Sequence, residues 1–236
     1  MKFIAELCQN HNGSEELMLK MIDEAAEGGA KFIKIQHIYS ENLSFRPVFD
    51  TGSPPLYIKR PYNDEYNRLK NLELSFKSIQ KFLDHCKNVG VVPLTTIFAQ
   101  SNLKEILDLG FTQVKIASYD CASFPMLSKV KQNFDHIFVS TGATFDSEVE
   151  KAVKILKENF TLLHCVTIYP TPIKKCNFSR IQYLKKFKCE VGFSDHSSPS
   201  DDNIHPSLIA IYHGAKVLER HFSILKVNET RDGIVS

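Results

Sequence analysis

Val191-Gly-Phe-Ser-Asp-His196 and Lys216-Val-Leu-Glu-Arg-His221-Phe222 decide how this chain reads. Each is a short apolar run that turns polar at its end and delivers a histidine there. In a parallel sheet the carboxyl ends of the strands form the face that meets a substrate. The stretch 204–214 between them is long enough for a short crossover helix. The two runs therefore read as a βαβ unit with one imidazole at the end of each strand. Neutral imidazole is a common ligand for divalent transition metals, and two histidines with water leave positions open. One such histidine alone would more often be a hydrogen-bonded barrel residue. The matched pair, one following Ser-Asp, favours a site.

The same alternation extends outward to the N-terminus. A strand over 3–8 ends in Gln9-Asn10-His11-Asn12-Gly13, and Ser14 caps a helix whose apolar positions are Leu17, Met18, Met21, Ile22 and Ala25. Gly28-Gly29 stops that helix, and a strand over 32–36 follows. Residues 39–72, with Pro47, Pro54, Pro55, Pro61 and Gly52, read as an ordered loop or lid without regular structure. Helices are expected at 74–89 (Phe76, Ile79, Phe82, Leu83 and Cys86 inward), 101–109, 123–132, 146–159 and 177–187. Strands are expected at 91–96, 113–116, 137–140, 161–165 and 190–193. Eight strands in βα alternation predict an α/β chain, a (β/α)8 TIM barrel with its site on the carboxyl-terminal face. No G-x-G-x-x-G, P-loop or nucleophile elbow supports the doubly wound alternative.

A chain of 236 residues is one barrel domain in length, and 43% hydrophobic with 24% charged residues is ordinary for a globular protein. The net charge of +2, with no basic run interleaved with aromatics, speaks against nucleic acid as a partner. No stretch approaches the roughly 20 apolar residues of a membrane span. Six cysteines without a C-x-x-C pair sit mostly in apolar runs, which reads as reduced thiols in a cytoplasmic protein.

On the barrel reading the strand ends gather Glu6, Asn10, Lys34, Gln36, Thr96, Lys115, Ser118, Ser140, Thr141, His164, Thr167, Ser194, His196, Glu219 and His221. Lys34 and Lys115 interrupt runs of Ile, Phe and Val, so each needs an anion. One reading is a bound phosphate or phosphocarboxylate, shared with hydroxyls of Thr96, Ser118 and Ser194. The other is an internal ion pair with Glu6 or Glu219. Spacing alone does not choose between them.

The motifs Ile4-Ala-Glu-Leu-Cys-Gln-Asn-His-Asn-Gly13, Lys34-Ile-Gln36, Lys115-Ile-Ala-Ser118, Ser140-Thr-Gly142, Leu163-His-Cys165, Tyr169-Pro-Thr-Pro172, Gly192–His196 and Leu218–Phe222 resemble the sialic acid synthase family, in family order. The resemblance implies condensation of phosphoenolpyruvate with an N-acylated mannosamine-type sugar, giving a nine-carbon 2-keto acid and phosphate. It implies a divalent ion, Mn2+ with Mg2+ or Co2+ as alternatives, on His196 and His221. Glu6, Lys34, Asp120 and Asp232 match catalytic positions. Thr96, Lys115, Ser118, Thr167 and Ser194 match phosphoenolpyruvate-binding positions, and Asn10, Gln36, Asp120 and Tyr169 match sugar-binding ones. Other phosphoenolpyruvate–aldose condensing enzymes of the same barrel, or a non-catalytic paralogue that binds a ligand or partner, are the alternatives.

Four departures from the pattern stand out. Asp120 replaces a frequent Glu, Thr167 an Asn or Ser, and Ile97-Phe98-Ala99 a Pro-Phe-Asp or Pro-Phe-Ser turn. Fourth, Asp232–Ser236 lies where the resembling chains continue into an eighth helix and an antifreeze-like domain. The expectation is a barrel domain over 1–236 that lacks its final helix and that domain, with exposed apolar faces around Val217 and the first strand. A homodimer, or a partner chain supplying the C-terminal part, would then furnish the arginine that resembling enzymes take from the second domain.

Overall fold

Alternate residues of a strand face opposite sides, and that rule of two builds this molecule. The computed structural model describes residues 1–52 and 59–236. Its strands are β1 (Lys2–Cys8), β2 (Phe32–His37), β3 (Val92–Ile97), β4 (Gln113–Ile116), β5 (His136–Ser140), β6 (Phe160–Cys165), β7 (Glu190–Asp195) and β8 (Val217–His221). All neighbours pair in parallel, and β8 pairs back onto β1, so the sheet closes as a (β/α)8 barrel. The helices are α1 (Glu15–Glu27), α2 (Pro47–Thr51), α3 (Tyr62–Lys70), α4 (Phe76–Asn88), α5 (Leu103–Asp108), α6 (Phe124–Asn133), α7 (Asp146–Leu156), α8 (Ser179–Lys185), α9 (Pro199–Asp202) and α10 (His205–Tyr212).

Local chemistry accounts for the helix starts. Ser14 Oγ accepts the Leu17 amide at 3.2 Å and Ser75 Oγ that of Ser78 at 3.1 Å, satisfying donors that a helix leaves open. Buried Met18, Met21, Ile22 and Ala25 of α1 and Ile79, Phe82, Leu83 and Cys86 of α4 face the outside of the barrel, as their spacing predicts. Phe76 does not: it opens α4, before the packed face begins, and is exposed.

The long stretch after β2 also differs from expectation, because α2 and α3 lie within 39–72. Asp64 and Glu65 in the first turn of α3 and Arg68 and Lys70 in its last favour a helix through the macrodipole, although only Leu69 is buried. Pro54 and Pro55 of the expected loop fall outside the described residues.

Inside the barrel, Ile4, Phe32, Leu94, Phe138, Leu163 and Val217 form an apolar floor, with Phe32 and Phe138 edge to face at 5.4 Å. Gly192 permits its closure: a Cβ there would come 2.4 Å from the Val217 carbonyl oxygen and 2.6 Å from Leu163. Val217 therefore points inward and is fully buried, contrary to the exposed position expected of it. The neighbouring residue in β8, Leu218, takes the outward place. With Phe3 of β1 and Ile204, Leu208 and Ile211 it lines an external groove of about 440 Å3. After β8 the described chain runs through turns and a single 3-10 turn, Gly233–Val235, and no helix covers this gap among the described residues.

Candidate active site

One register step above the floor, the inward positions become polar. Glu6, Lys34, Thr96, Lys115, Ser140, Ser194 and Glu219, each at most 4% exposed, ring the bottom of a cavity of about 540 Å3 that opens at the carboxyl ends of the strands. The two cations and two anions in this ring are unequally matched. The Lys34 ammonium pairs with Glu6 and, at 2.9 Å, with Glu219, and touches Thr96 Oγ1 at 3.3 Å. Burial pulls that ammonium down, but Glu219 and Glu6 outweigh it and hold it above the ordinary lysine value. Lys115 has one carboxylate, Glu219, at 3.7 Å, and donates to its own strand at the Ile116 carbonyl. There burial prevails and lowers the ammonium. Burial also opposes the charge on Glu219, yet Lys115 and Lys34, with the Ser194 hydroxyl at 2.5 Å, hold its carboxyl well below the usual range. Lys34 is thus an internal ion-pair residue in this structure, while Lys115, with its single and more distant carboxylate, keeps hydrogen-bonding capacity for a ligand.

The next level carries the imidazoles. His196 Nδ1 lies 3.0 Å from the Val166 carbonyl, which can only accept, so this nitrogen carries the proton. Burial, then His221, lowers the imidazole to about 4, leaving Nε2 as an acceptor toward the cavity. The Tyr169 hydroxyl meets Nε2 at 3.0 Å and its ring stacks on the imidazole at 4.1 Å. His221 ends β8 with its ring centroid 5.6 Å from that of His196. Its Nδ1 is buried and has no hydrogen-bond partner among the described residues. A neutral acceptor held in one tautomer and an unsatisfied buried nitrogen fit a divalent cation, which either could ligate.

Asp195, between Ser194 and His196, faces away from the cavity. It accepts from the Ser197 amide and hydroxyl and from Ser207 of α10, with Arg220 at 3.4 Å. The Ser-Asp-His sequence thus splits into two inward groups and one outward anchor that fixes the strand end to α10.

Of the residues expected from sequence, Glu6, Lys34, Gln36, Thr96, Lys115, Ser118, Tyr169, Ser194, His196, His221 and Asp232 line the cavity. Asn10, Asp120 and Thr167 do not. The Asn10 side chain donates to the Phe222 carbonyl at 2.9 Å and to Ser236 Oγ at 3.0 Å, tying β1 to the end of β8. Asp120 ends a 3-10 turn with Oδ2 buried and unmatched among the described residues, and burial pushes its carboxyl up to about 6. Thr167 is exposed. Sequence reasoning missed Cys8, Cys165 and the rim cations Arg60, Arg68 and Arg231. Arg68 grips Glu65 at 2.7 and 2.9 Å and Gln9 at 2.8 Å, and Arg231 reaches Glu65 at 3.2 Å, so α3 holds one wall of the mouth. The Gln9–Gly13 run and the Glu65/Arg68 spacing were the signals available.

Fold and site together define a (β/α)8 barrel with a buried cation-and-carboxylate cavity able to hold an anion beside a metal ion. Residues 21–236 match the NeuB family model, and the chain belongs to that family. It is 35% identical over 232 residues to the N,N'-diacetyllegionaminic acid synthase of Campylobacter jejuni, an alignment covering 94% of this chain and 67% of that protein. It is 30% identical to the N-acetylneuraminate-9-phosphate synthase of Drosophila melanogaster, covering 97% and 62%. The solved N-acetylneuraminic acid (sialic acid) synthetase of Leptospira borgpetersenii superposes with a TM-score of 0.85 at 31% identity, over 99% of this chain and 77% of that one. The chain spans about two thirds of the length of these curated relatives. A 3-deoxy-D-arabino-heptulosonate 7-phosphate synthase from Thermotoga maritima shares the fold alone, at 14% identity and a TM-score of 0.72.

Proposed function

We propose that this chain condenses phosphoenolpyruvate with the open-chain aldehyde of an N-acylated mannosamine-type sugar, giving a nine-carbon 2-keto acid and phosphate. The observation that carries the reading is the unequal pairing of the two buried lysines beneath two inward-facing imidazoles, in a chain of this family. Lys115, with one distant carboxylate partner, takes the phosphate, helped by hydroxyls of Thr96, Ser118 and Ser194. Lys34 stays locked between Glu6 and Glu219 and fixes both carboxylates. Gln36 and Tyr169 face the sugar, whereas Asn10 acts by tying the end of β8 in place.

The methylene carbon of phosphoenolpyruvate forms the new bond to the aldehyde carbon, whose oxygen takes up a proton. Water adds at the resulting cationic centre, and phosphate departs with its bridging oxygen. Glu6, at the cavity floor and fixed by the Cys8 amide at 2.6 Å, orients the aldehyde or the water. His196 and His221 would hold a divalent ion, which when bound would supply Lewis-acid polarisation of a carbonyl oxygen. The alternative 3-deoxy sugar acid chemistry is not favoured, because that likeness extends to the fold only.

The proposal includes a cytoplasmic setting, which six free cysteines support. Among the described residues no helix is long and apolar enough to cross a membrane. It also includes a homodimer, or a partner chain, as the source of the arginine that the resemblance implies.

Phosphate release from phosphoenolpyruvate, assayed with a divalent ion and a panel of N-acylated hexoses, tests the reading. Release should require both sugar and metal. Lys115→Ala should weaken phosphoenolpyruvate binding about 10- to 150-fold, a charge-assisted hydrogen bond of roughly 1.5–3 kcal/mol, and leave sugar affinity nearly unchanged. Undiminished phosphoenolpyruvate affinity in that variant would reassign Lys115 to the internal ion-pair network.

A further inference from the structure

Cys8 stands where β1 leaves the barrel. The pairing of β1 with β2 slips between Glu6 and Cys8, and Cys8 adopts φ +51°, the left-handed region that residues with a Cβ rarely enter. Beyond the slip the residue lines the cavity, 4% exposed, and its Sγ donates to Asp232 Oδ2 at 2.8 Å. Asp232 arrives from the far end of the chain. Its Oδ2 lies 3.6 Å from His221 Nδ1, too far for a hydrogen bond, and the His221 side chain is only 8% exposed. That nitrogen has no other partner among the described residues.

A thiol, an imidazole nitrogen and a carboxylate oxygen from three separate segments thus converge, each within 4.8 Å of the others. Bonds of about 2.3 Å to sulfur and about 2.0–2.2 Å to nitrogen and oxygen place the ligand atoms of a tetrahedral site some 3.3–3.8 Å apart. The observed 2.8 and 3.6 Å separations need only small side-chain adjustments to reach that spacing. Among the described residues no other trio of such side chains comes this close.

We propose that Cys8 Sγ, His221 Nδ1 and Asp232 Oδ2 bind one divalent transition metal, with a preference for zinc or cobalt over magnesium or manganese. Thiolate is a soft ligand and imidazole an intermediate one, whereas magnesium and manganese suit oxygen donors. Binding exchanges the S–H bond for a sulfur–metal bond and releases one proton to solvent. The assignment rests on reading this cavity as the condensation site, since His221 belongs to both. It adds a ligand from β1 that the two-histidine arrangement lacks. His196 stands beside the trio with its Nε2 held by Tyr169.

Titration of the metal-free full chain with cobalt(II) under argon tests this. The expected result is one ion per chain with a near-ultraviolet sulfur-to-cobalt charge-transfer band, one proton released, and displacement by zinc but not by magnesium. Cys8→Ser should abolish the band and weaken cobalt binding at least about tenfold, since even losing an outer partner of a ligand costs about 10–100-fold. Cys8→Gly, which adopts the left-handed backbone without strain, should do the same. Cobalt bound without the band, the band surviving in both variants, or no cobalt bound overturns the thiolate site. Phosphate release is scored separately on cobalt-loaded and on manganese-loaded protein, and release with either counts. Release without the band leaves the condensation reading intact, and the band without release supports the site while removing that reading.

Discussion

The floor of the barrel and the layer immediately above it share most of their strands, two residues apart, with Lys115 of β4 and Ser194 of β7 joining the upper layer alone, and they obey opposite rules. The floor packs Ile4, Phe32, Leu94, Phe138, Leu163 and Val217 and needs nothing but shape. The layer above sequesters two lysines and two carboxylates, each costly to bury, and shares them unevenly, Lys34 with both carboxylates and Lys115 with Glu219 alone. One level supplies stability. The other spends part of it on groups that can meet an anion.

The largest test of that contrast removes the cation the carboxylates share. Lys34→Met should cost about 3–5 kcal/mol in urea unfolding, because Glu6 and Glu219 lose their closest counter-charge, and should abolish phosphate release. Adding Glu6→Gln should return part of the stability but none of the activity. If the double variant is no more stable than the single one, the two groups are not energetically coupled.

A smaller effect is expected on the floor. Phe138→Ala should destabilise by about 3 kcal/mol, at the low end for a buried phenyl because Phe32 and His136 flank the ring and can settle toward the gap. Turnover per folded molecule should scarcely change. A comparable loss in kcat would show that the floor also shapes the chemistry.

The smallest lies at the rim. Burial raises the Asp120 carboxyl from 3.8 to about 6, so the folded state prefers the protonated form. Stability therefore falls as pH rises through that window and stays lower above it. Asp120→Asn should lack this fall and gain about 1 kcal/mol at pH 7, discounted because the group is partly exposed, with no gain below pH 4. Parallel stability–pH profiles for the two proteins would contradict it.

Much of this architecture was legible from residue order. Apolar runs broken by Gly and capped by Ser marked the strands and helices, because burial and capping act locally and at fixed periods. His196 and His221 were legible for the same reason, as polar ends of apolar runs. What escaped depended on contacts between distant segments. Helix α3 is held by charge and by Glu65 and Arg68 at the mouth, with little apolar face to announce it. The partners of Lys34 were narrowed to Glu6 or Glu219, but that it takes both is a matter of three-dimensional register. Val217 was placed on the wrong side because a strand's phase is set by its neighbours, and one residue of slip reverses every side chain. Cys8 escaped entirely, since its direction comes from the bulge in β1 and not from the strand's period.

That bulge sets two kinds of selection against each other. Glycine at position 8 would relieve a left-handed backbone worth about 1–2 kcal/mol, so a screen for heat-resistant variants should enrich it. The same change would delete the sulfur that donates to Asp232 at the barrel mouth. Cysteine at this position thus carries a cost in fold stability that, on the proposed site, a bound thiophilic ion offsets, so stripping metal should weaken this chain more than a variant with glycine there.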